Sequence, residues 1–178
     1  AVMRWMWIDR IVELIPSQRA VAIKNVSMAE EHLHDHFGAT TFRWGGRREA
    51  LPVMPASLIV EGMAQTAGIL VGHAVGFREK VILAKVSQAE LHADAGPGMT
   101  LRYTAQLQQM DRMGCATAGI VEISDPGSGS GFFPIGKVDL MFSYLDNNMA
   151  GMEFPEHNFV FSDSFRTLLK LSGIAADF

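Results

Sequence analysis

The sequence has little of what would mark a secreted, membrane-bound or nucleic-acid-binding chain. Its 178 residues include a single cysteine, Cys115, so no disulfide can form within the chain and we expect a reducing, cytoplasmic compartment. The net charge is −4 and no basic run stands out, which argues against nucleic acid as a partner. No charged segment followed by an apolar one opens the chain, so we expect no signal peptide. With 48% hydrophobic and 19% charged residues, the composition is that of a globular domain with a substantial core.

The longest apolar stretch covers residues 51–76 and carries one formal charge, Glu61. It predicts a helix from Ser57, as the capping residue, to about Ala74, which would be roughly 27 Å long. Because its apolar residues point in every direction, this helix should be buried in the protein. We do not expect a membrane span, because Gln65, His73 and several glycines interrupt the run and no basic cluster flanks it.

Glu61 is the residue in this helix that needs an explanation. A carboxylate isolated in apolar surroundings is costly, so such groups are paired, protonated or used in chemistry. Gln65 lies four residues later, on the same helical face, and its amide can hold one carboxyl oxygen. The helix alone leaves two interpretations open, a structural hydrogen-bonded pair or a functional acid.

The segments around this helix predict an α+β protein. A β-hairpin is expected from residues 5–15 and 19–26, then a helix over residues 27–35 with Ser27 and Glu30 as a capping box. Residues 39–50 predict a loop. After the long helix, strand-like composition over residues 81–93, 99–110, 115–124 and 134–145, with short connections, indicates an antiparallel meander. The sheet would wrap around the long central helix, and residues 164–171 predict a short amphipathic C-terminal helix.

Three histidines form the pattern H-x-H-D-H at His32, His34 and His36. On a strand, such spacing would place three imidazoles on one face, where they could bind zinc. The segment predicts helix followed by loop, however, and no other ligand set accompanies it, so we expect no metal. His73 and His92 are expected to be structural residues.

The order of motifs around the helix resembles one family. His36-Phe37-Gly38 is followed by Pro52-Val53-Met54-Pro55-Ala56 and then by Glu61-Gly62-Met63-Ala64-Gln65. This order is similar to the 3-hydroxyacyl-[acyl-carrier-protein] dehydratases of the FabZ/FabA type, whose signature runs H-F-P-G-x-P-V-M-P-G and then reaches Glu or Asp ahead of A-x-A-Q. Glutamate at position 61 is closer to FabZ.

The resemblance implies a hot-dog fold, with an antiparallel β-sheet wrapped around a long central helix, in residues 1–146. Residues 147–178 would form a linker and a C-terminal helical extension. It also implies a homodimer that can assemble further, with active sites at the interface. His36 of one subunit and Glu61 of the other would be catalytic, and Ala56, Gln65 and Gly38 would bind the substrate or its oxyanion. The partner would be acyl carrier protein with a 3-hydroxyacyl chain, and no cofactor is implied.

Several departures from the family pattern leave alternatives open. The proline of His-Phe-Pro-Gly is absent, Ala56 replaces a glycine, and an extended loop, residues 38–51, separates His36 from the helix. Gly62 replaces an alanine, which we attribute to close packing, for example by an acyl chain. The alternatives are a thioesterase, a CoA-linked hydratase and a non-catalytic acyl-binding subunit. The loop also carries three arginines, either solvated or a docking site for an acidic carrier protein: Arg43, Arg47 and Arg48.

Overall fold

The computed structural model describes residues 5–35, 37–145, 158 and 160–175. Its strands are β1 Arg10–Ile15, β2 Arg19–Asn25, β3 Thr40–Thr41, β4 Arg47–Arg48, β5 Val81–Leu91, β6 Thr100–Met110, β7 Gly114–Ser124 and β8 Phe133–Tyr144. Its α-helices are α1 His32–Asp35, α2 Ala56–Ala74 and α3 Asp163–Leu171, and a 3-10 turn covers Pro126–Ser128. Six strands form one antiparallel sheet in the order β1-β2-β6-β7-β8-β5, and β3 pairs with β4.

Helix α2 is the buried centre of the molecule, as its apolar composition predicted. It packs against five strands, and its core-facing residues include Ile59, Met63 and Leu70, all at most 1% exposed. The prediction that Ser57 caps the helix is wrong: Pro55 occupies the N-cap position without a side-chain hydrogen bond, and helical geometry begins at Ala56. No helix among the described residues is both long and apolar enough to cross a membrane.

The strand order corrects one part of the expected topology. Strands β6, β7 and β8 form the predicted meander, but β5 pairs with β8 rather than with its successor β6. Residues 92–99 therefore carry the chain across α2 to the other half of the sheet. This crossing passes the start of α2, where the Met54 amide donates to the carbonyl of Ala95 at 2.8 Å, and it leaves β5 at the sheet edge.

The N-terminal segments are less regular than predicted. The β1–β2 hairpin is present, but residues 5–9 precede it without strand structure. Only His32–Asp35 of the expected helix 27–35 is helical. Glu30 accepts from the Ser27 amide at 3.1 Å and from Lys24 Nζ at 2.6 Å, while the Ser27 hydroxyl accepts from Ala29. The box is therefore only half formed, since the Ser27 hydroxyl closes a turn instead of capping the third amide of a helix.

The predicted C-terminal helix is present as α3. Its Leu168 and Leu169 are buried, and Phe161, just ahead of it, is 3% exposed. Ser172, after the helix, accepts a hydrogen bond from the Ile11 amide of β1 at 3.0 Å. Because these contacts bury apolar side chains, Phe161 and the buried face of α3 are part of the core. The predicted linker begins at residue 147, and residues 147–157 lie outside the described part of the chain.

Candidate functional site

Glu61 lies on α2, and the structure pairs it with Gln65 as the four-residue spacing predicted. Gln65 Nε2 donates to Glu61 Oε1 at 3.0 Å. Burial raises the pKa of the Glu61 carboxyl above its usual 4.5, and the Gln65 hydrogen bond opposes that shift without cancelling it. Glu61 therefore holds a proton at a higher pH than an exposed glutamate does, as general acids generally require.

The orientation of Gln65 is fixed by the residues ahead of β1. Gln65 is 5% exposed; its Oε1 accepts from the Trp7 amide at 2.9 Å, and its Nε2 also donates to the carbonyl of Trp5 at 2.8 Å. Only Nε2 can therefore face Glu61. The sequence does not predict this contribution, because its pattern indicates a strand over residues 5–9; the high aromatic content of that segment is the available signal.

A cavity of about 200 Å³ opens beside the Glu61 carboxyl. Glu61 and Gln65 are its polar groups, while the rest of its lining is apolar or glycine. An apolar cavity of about 150 Å³ is large enough for benzene, so this one can hold a hydrocarbon chain of moderate length. The remaining lining residues come from α2, β5, β8 and the C-terminal segment: Ala64, Gly68, Val81, Leu83, Phe142, Val160, Phe161 and Phe165.

The start of α2 provides hydrogen-bond donors, as expected for an oxyanion site. The amides of Leu58 and Ile59 donate to the carbonyl of Pro55. Within the described part of the chain, the amides of Ala56 and Ser57 have no acceptor, so both can stabilise developing negative charge. Ala56 borders a second cavity of about 270 Å³, lined also by Met54, Ile59, Leu91, His92, Ala93 and Asp94.

Ala56 and Glu61 do not meet in one cavity of a single chain. Five residues separate them on a helix with 3.6 residues per turn, so their side chains differ in direction by about 140° and face nearly opposite sides of α2. The structure thus brings Glu61 and Gln65 together and places Ala56 apart from both. Among the described residues, neither of these two cavities is lined by both groups.

The extended loop is a short hairpin instead of the irregular loop that was predicted. Strands β3 and β4 pair antiparallel, and at the base of the hairpin the Leu51 amide donates to the carbonyl of Phe37 at 2.9 Å. The insertion therefore projects from the domain while its two ends stay in contact. Gly38 is half-buried within it, and His36 lies outside the described residues.

The other histidines do not form a metal site among the described residues, where no cluster of His, Cys, Asp or Glu suits a metal ion. The His32 ring packs edge-on against Trp7 at 5.1 Å, and His34 is exposed. The His73 ring packs edge-on against Phe77 at 6.0 Å.

The close packing expected at Gly62 is confirmed, and the group that packs there is a tyrosine ring. A Cβ at position 62 would lie 2.6 Å from both Cζ and the hydroxyl oxygen of Tyr103. Tyr103 is fully buried, and its hydroxyl has no hydrogen-bond partner among the described residues. The glycine therefore makes room for a core ring, so the substitution carries no information about the acyl chain.

Comparisons with known proteins show the family to which this chain is similar. Residues 3–125 match the FabA-like domain family. The chain is 38% identical over 101 residues to a curated 3-hydroxyacyl-[acyl-carrier-protein] dehydratase FabZ of Acidiphilium cryptum, covering 55% of this chain and 54% of that protein. It is 34% identical over 121 residues to the FabZ of Solibacter usitatus, covering 67% of each. The chain thus spans between about half and two thirds of these relatives.

Among solved structures, the similarity is one of fold. An acyl-CoA hydrolase from Staphylococcus aureus, in complex with butyryl coenzyme A, superposes with a TM-score of 0.54 at 14% identity, over 78% of this chain and 70% of that one. A conserved protein of Pseudomonas aeruginosa, PA5202, gives 0.54 at 17% identity over 76% and 87%. The architecture is the α+β hot-dog fold that was expected.

Proposed function

This chain belongs to the FabA-like family, and we propose on that basis that it dehydrates 3-hydroxyacyl thioesters to trans-2-enoyl thioesters, with the acyl chain attached to acyl carrier protein. The observation that carries the proposal is the environment of the Glu61 carboxyl group. This carboxyl borders a largely apolar cavity, is held by a fixed Gln65 amide, and has a pKa that burial raises. Such a group is suited to donating a proton to a leaving hydroxyl.

The reaction needs a base, an oxyanion donor and an acid. His36 takes a proton from C2, because an imidazole with a pKa near 6.5 suits proton transfer near neutrality. The Ala56 amide donates to the thioester oxygen as charge develops there, and Gly38 is also proposed to bind substrate. Glu61 gives its proton to the 3-hydroxyl, the C3–O bond breaks, and water leaves as the C2–C3 double bond forms. Gln65 keeps the Glu61 carboxyl in place.

We infer that two chains form a homodimer with the active sites at its interface. The separation of Ala56 and Glu61 supports this, because the two residues line different cavities of one chain. Strand β5 supports it too: it is a sheet edge among the described strands, and its Leu83 and Val86 are 40% and 42% exposed. An exposed apolar edge strand is a ready surface for pairing with a second copy.

Acyl carrier protein is the proposed partner, and the β3–β4 hairpin offers a surface for it. Arg43 and Arg47 are exposed there, and Trp44 is 79% exposed and stacks on Phe42 with ring centroids 4.6 Å apart. Arginines bind phosphate and carboxylate groups well, so this hairpin suits an acidic carrier protein or its phosphopantetheine. A cytoplasmic location stays a prediction.

The test is a hydration and dehydration assay on a crotonyl thioester, followed by the enoyl absorbance. We expect His36→Ala and Glu61→Gln to abolish turnover, while Glu79→Gln, an exposed control, keeps wild-type rates. Mixing the two inactive variants under subunit exchange should then restore about a quarter of the activity, because half of the dimers would be hybrids with one intact site. Release of free thiol would instead identify a thioesterase. A folded, dimeric wild type that turns over no thioester would indicate a non-catalytic acyl-binding subunit.

A further inference from the structure

The C-terminal segment forms part of the cavity that holds Glu61. Val160 and Phe161, just before α3, and Phe165, in its first turn, line this cavity together with Glu61. These three side chains are apolar, whereas the polar groups of the cavity lie on α2. The C-terminal segment therefore contributes apolar wall to a site whose reactive carboxyl is on another element.

This wall is fitted into α2 at one specific position. A Cβ at Gly72 would lie 2.4 Å from Cζ of Phe161 and 2.9 Å from Cδ1 of Phe77, so only glycine leaves room for the Phe161 ring. Phe161 also packs edge-on against Phe77 and Phe165, with centroids 5.0 Å and 5.8 Å apart. Phe161 thus has a defined place on the helix.

Hydrogen bonds hold both ends of the segment. Ahead of it, Asn158 Nδ2 donates to the carbonyls of Phe77 at 2.9 Å and Glu79 at 3.0 Å. Beyond α3, the Ser172 hydroxyl accepts from Ile11 at 3.0 Å. Because each end is hydrogen-bonded to a different part of the domain, the aromatic side chains between them are held in a fixed position beside the cavity.

The position of the wall sets a length for the cavity. Glu61, Gly68 and Gly72 lie on one face of α2, since seven and eleven residues correspond to about two and three turns. At 1.5 Å per residue, Gly68 is about 10 Å and Gly72 about 16 Å along the axis from Glu61. The cavity volume of about 200 Å³ agrees with the shorter of these two distances. A cavity of about 150 Å³ holds benzene with its six carbons, so in proportion this cavity holds on the order of eight carbon atoms.

We infer that Val160, Phe161 and Phe165 close the acyl pocket at its far end and restrict the substrate to acyl chains of short to medium length, on the order of eight carbons. The inference rests on the proposed function for the identity of the ligand. The C-terminal segment is then a determinant of specificity, supplied by a part of the chain beyond the residues that match the family, 3–125.

The test compares kcat/KM for four-, eight- and sixteen-carbon 3-hydroxyacyl thioesters. We expect wild type to use the four- and eight-carbon chains and to discriminate against the sixteen-carbon chain. Phe165→Ala, which removes a half-buried ring, should raise relative kcat/KM for the sixteen-carbon substrate about tenfold or more. Val160→Phe should narrow the pocket and shift preference toward the four-carbon chain. Leu171→Ala, on the same helix but 66% exposed, should leave the profile unchanged.

Two results would overturn the inference while leaving the proposed function intact: a wild type equally active on all three lengths, or a folded Phe165→Ala variant with the wild-type profile. If wild type turns over no substrate, the proposed function fails, and the wall is tested separately by binding. Calorimetry with unreactive saturated acyl-pantetheines of the same three lengths should then show the same length limit and the same relaxation in Phe165→Ala. If wild type bound the three acyl-pantetheines with equal affinity, the inference that the C-terminal segment limits chain length would be rejected, whatever the activity assay shows.

Discussion

Replacing Gly72 with alanine tests whether the C-terminal segment packs against α2 as described. The new Cβ would lie 2.4 Å from Cζ of Phe161 and 2.9 Å from Cδ1 of Phe77, well inside normal contact distance. Both rings are 3% exposed, so neither can turn toward solvent without exposing apolar surface. The substitution must therefore displace at least one ring or shift the helix.

Two effects of opposite sign determine how Gly72→Ala changes the free energy of unfolding. Glycine to alanine inside a helix stabilises by about 1 kcal/mol when the new methyl has space. Overpacking a filled core costs about 1–3 kcal/mol. For Gly72→Ala we expect the second effect to win, with a net loss of about 1 kcal/mol in the free energy of unfolding. For a domain of this size, that corresponds to a fall of about 2–4 °C in Tm.

Gly68→Ala is the matched control on the same helix. A Cβ there would lie 3.7 Å from Phe142, an ordinary contact, so this variant should gain up to about 1 kcal/mol. Urea unfolding of wild type and both variants at one protein concentration gives the comparison, since the stability of a dimer depends on concentration. A Gly72→Ala protein as stable as Gly68→Ala would refute the packing of Phe161 against the helix.

Three further predictions follow from the site and its surroundings. Folding favours the protonated form of Glu61, because burial raises its pKa above 4.5. This contribution to stability is fully present at pH values below the pKa of Glu61 in the unfolded chain. It is lost as the pH rises through the pKa of Glu61 in the folded protein. Glu61→Gln should therefore flatten the decline in stability with pH, and an unchanged slope in denaturation at acidic and mildly alkaline pH would contradict it. Tyr103→Phe should leave the free energy of unfolding within about 0.5 kcal/mol of wild type or raise it, because the hydroxyl has no partner in the described part of the chain; urea unfolding measures this, and a loss of more than about 1 kcal/mol would reveal a missing hydrogen bond. Arg43→Glu with Arg47→Glu should raise KM for carrier-linked substrate about tenfold or more and leave a short thioester analogue almost unaffected, and equal effects on both substrates would exclude carrier docking at the hairpin.

The parts of the site that follow a regular period could be predicted from the sequence. Glu61 and Gln65 are four residues apart, and helical geometry converts that spacing directly into a contact, which the structure shows at 3.0 Å. The buried character of α2 followed from apolar residues on every side. Strands β6 to β8 followed from β-type segments with short connections. In each case a local rule was sufficient, because the residues concerned are neighbours along one element or one hairpin.

Contacts between distant segments could not be predicted this way. The amide of Gln65 is oriented by Trp5 and Trp7, about sixty residues earlier in the chain. Gly62 predicts close packing by an unidentified group, and only the structure shows that this group is Tyr103 of β6. Strand β5 was expected beside β6 and lies beside β8 instead. No spacing in the sequence encodes these partners, since any of several apolar faces could have been buried together.

The sequence by itself therefore determined the class of the fold, the central helix, the family and the acid with its amide partner, because short-range geometry and an ordered motif fix all of these. Only the tertiary structure decided where the cavity ends. Phe161 meets Gly72 across 89 positions of chain, a contact that exists because a glycine left a ring-sized space and the C-terminal segment had an aromatic residue to bury in it. Shape complementarity between surfaces far apart in sequence settles such a contact, and it becomes visible only once the chain is folded.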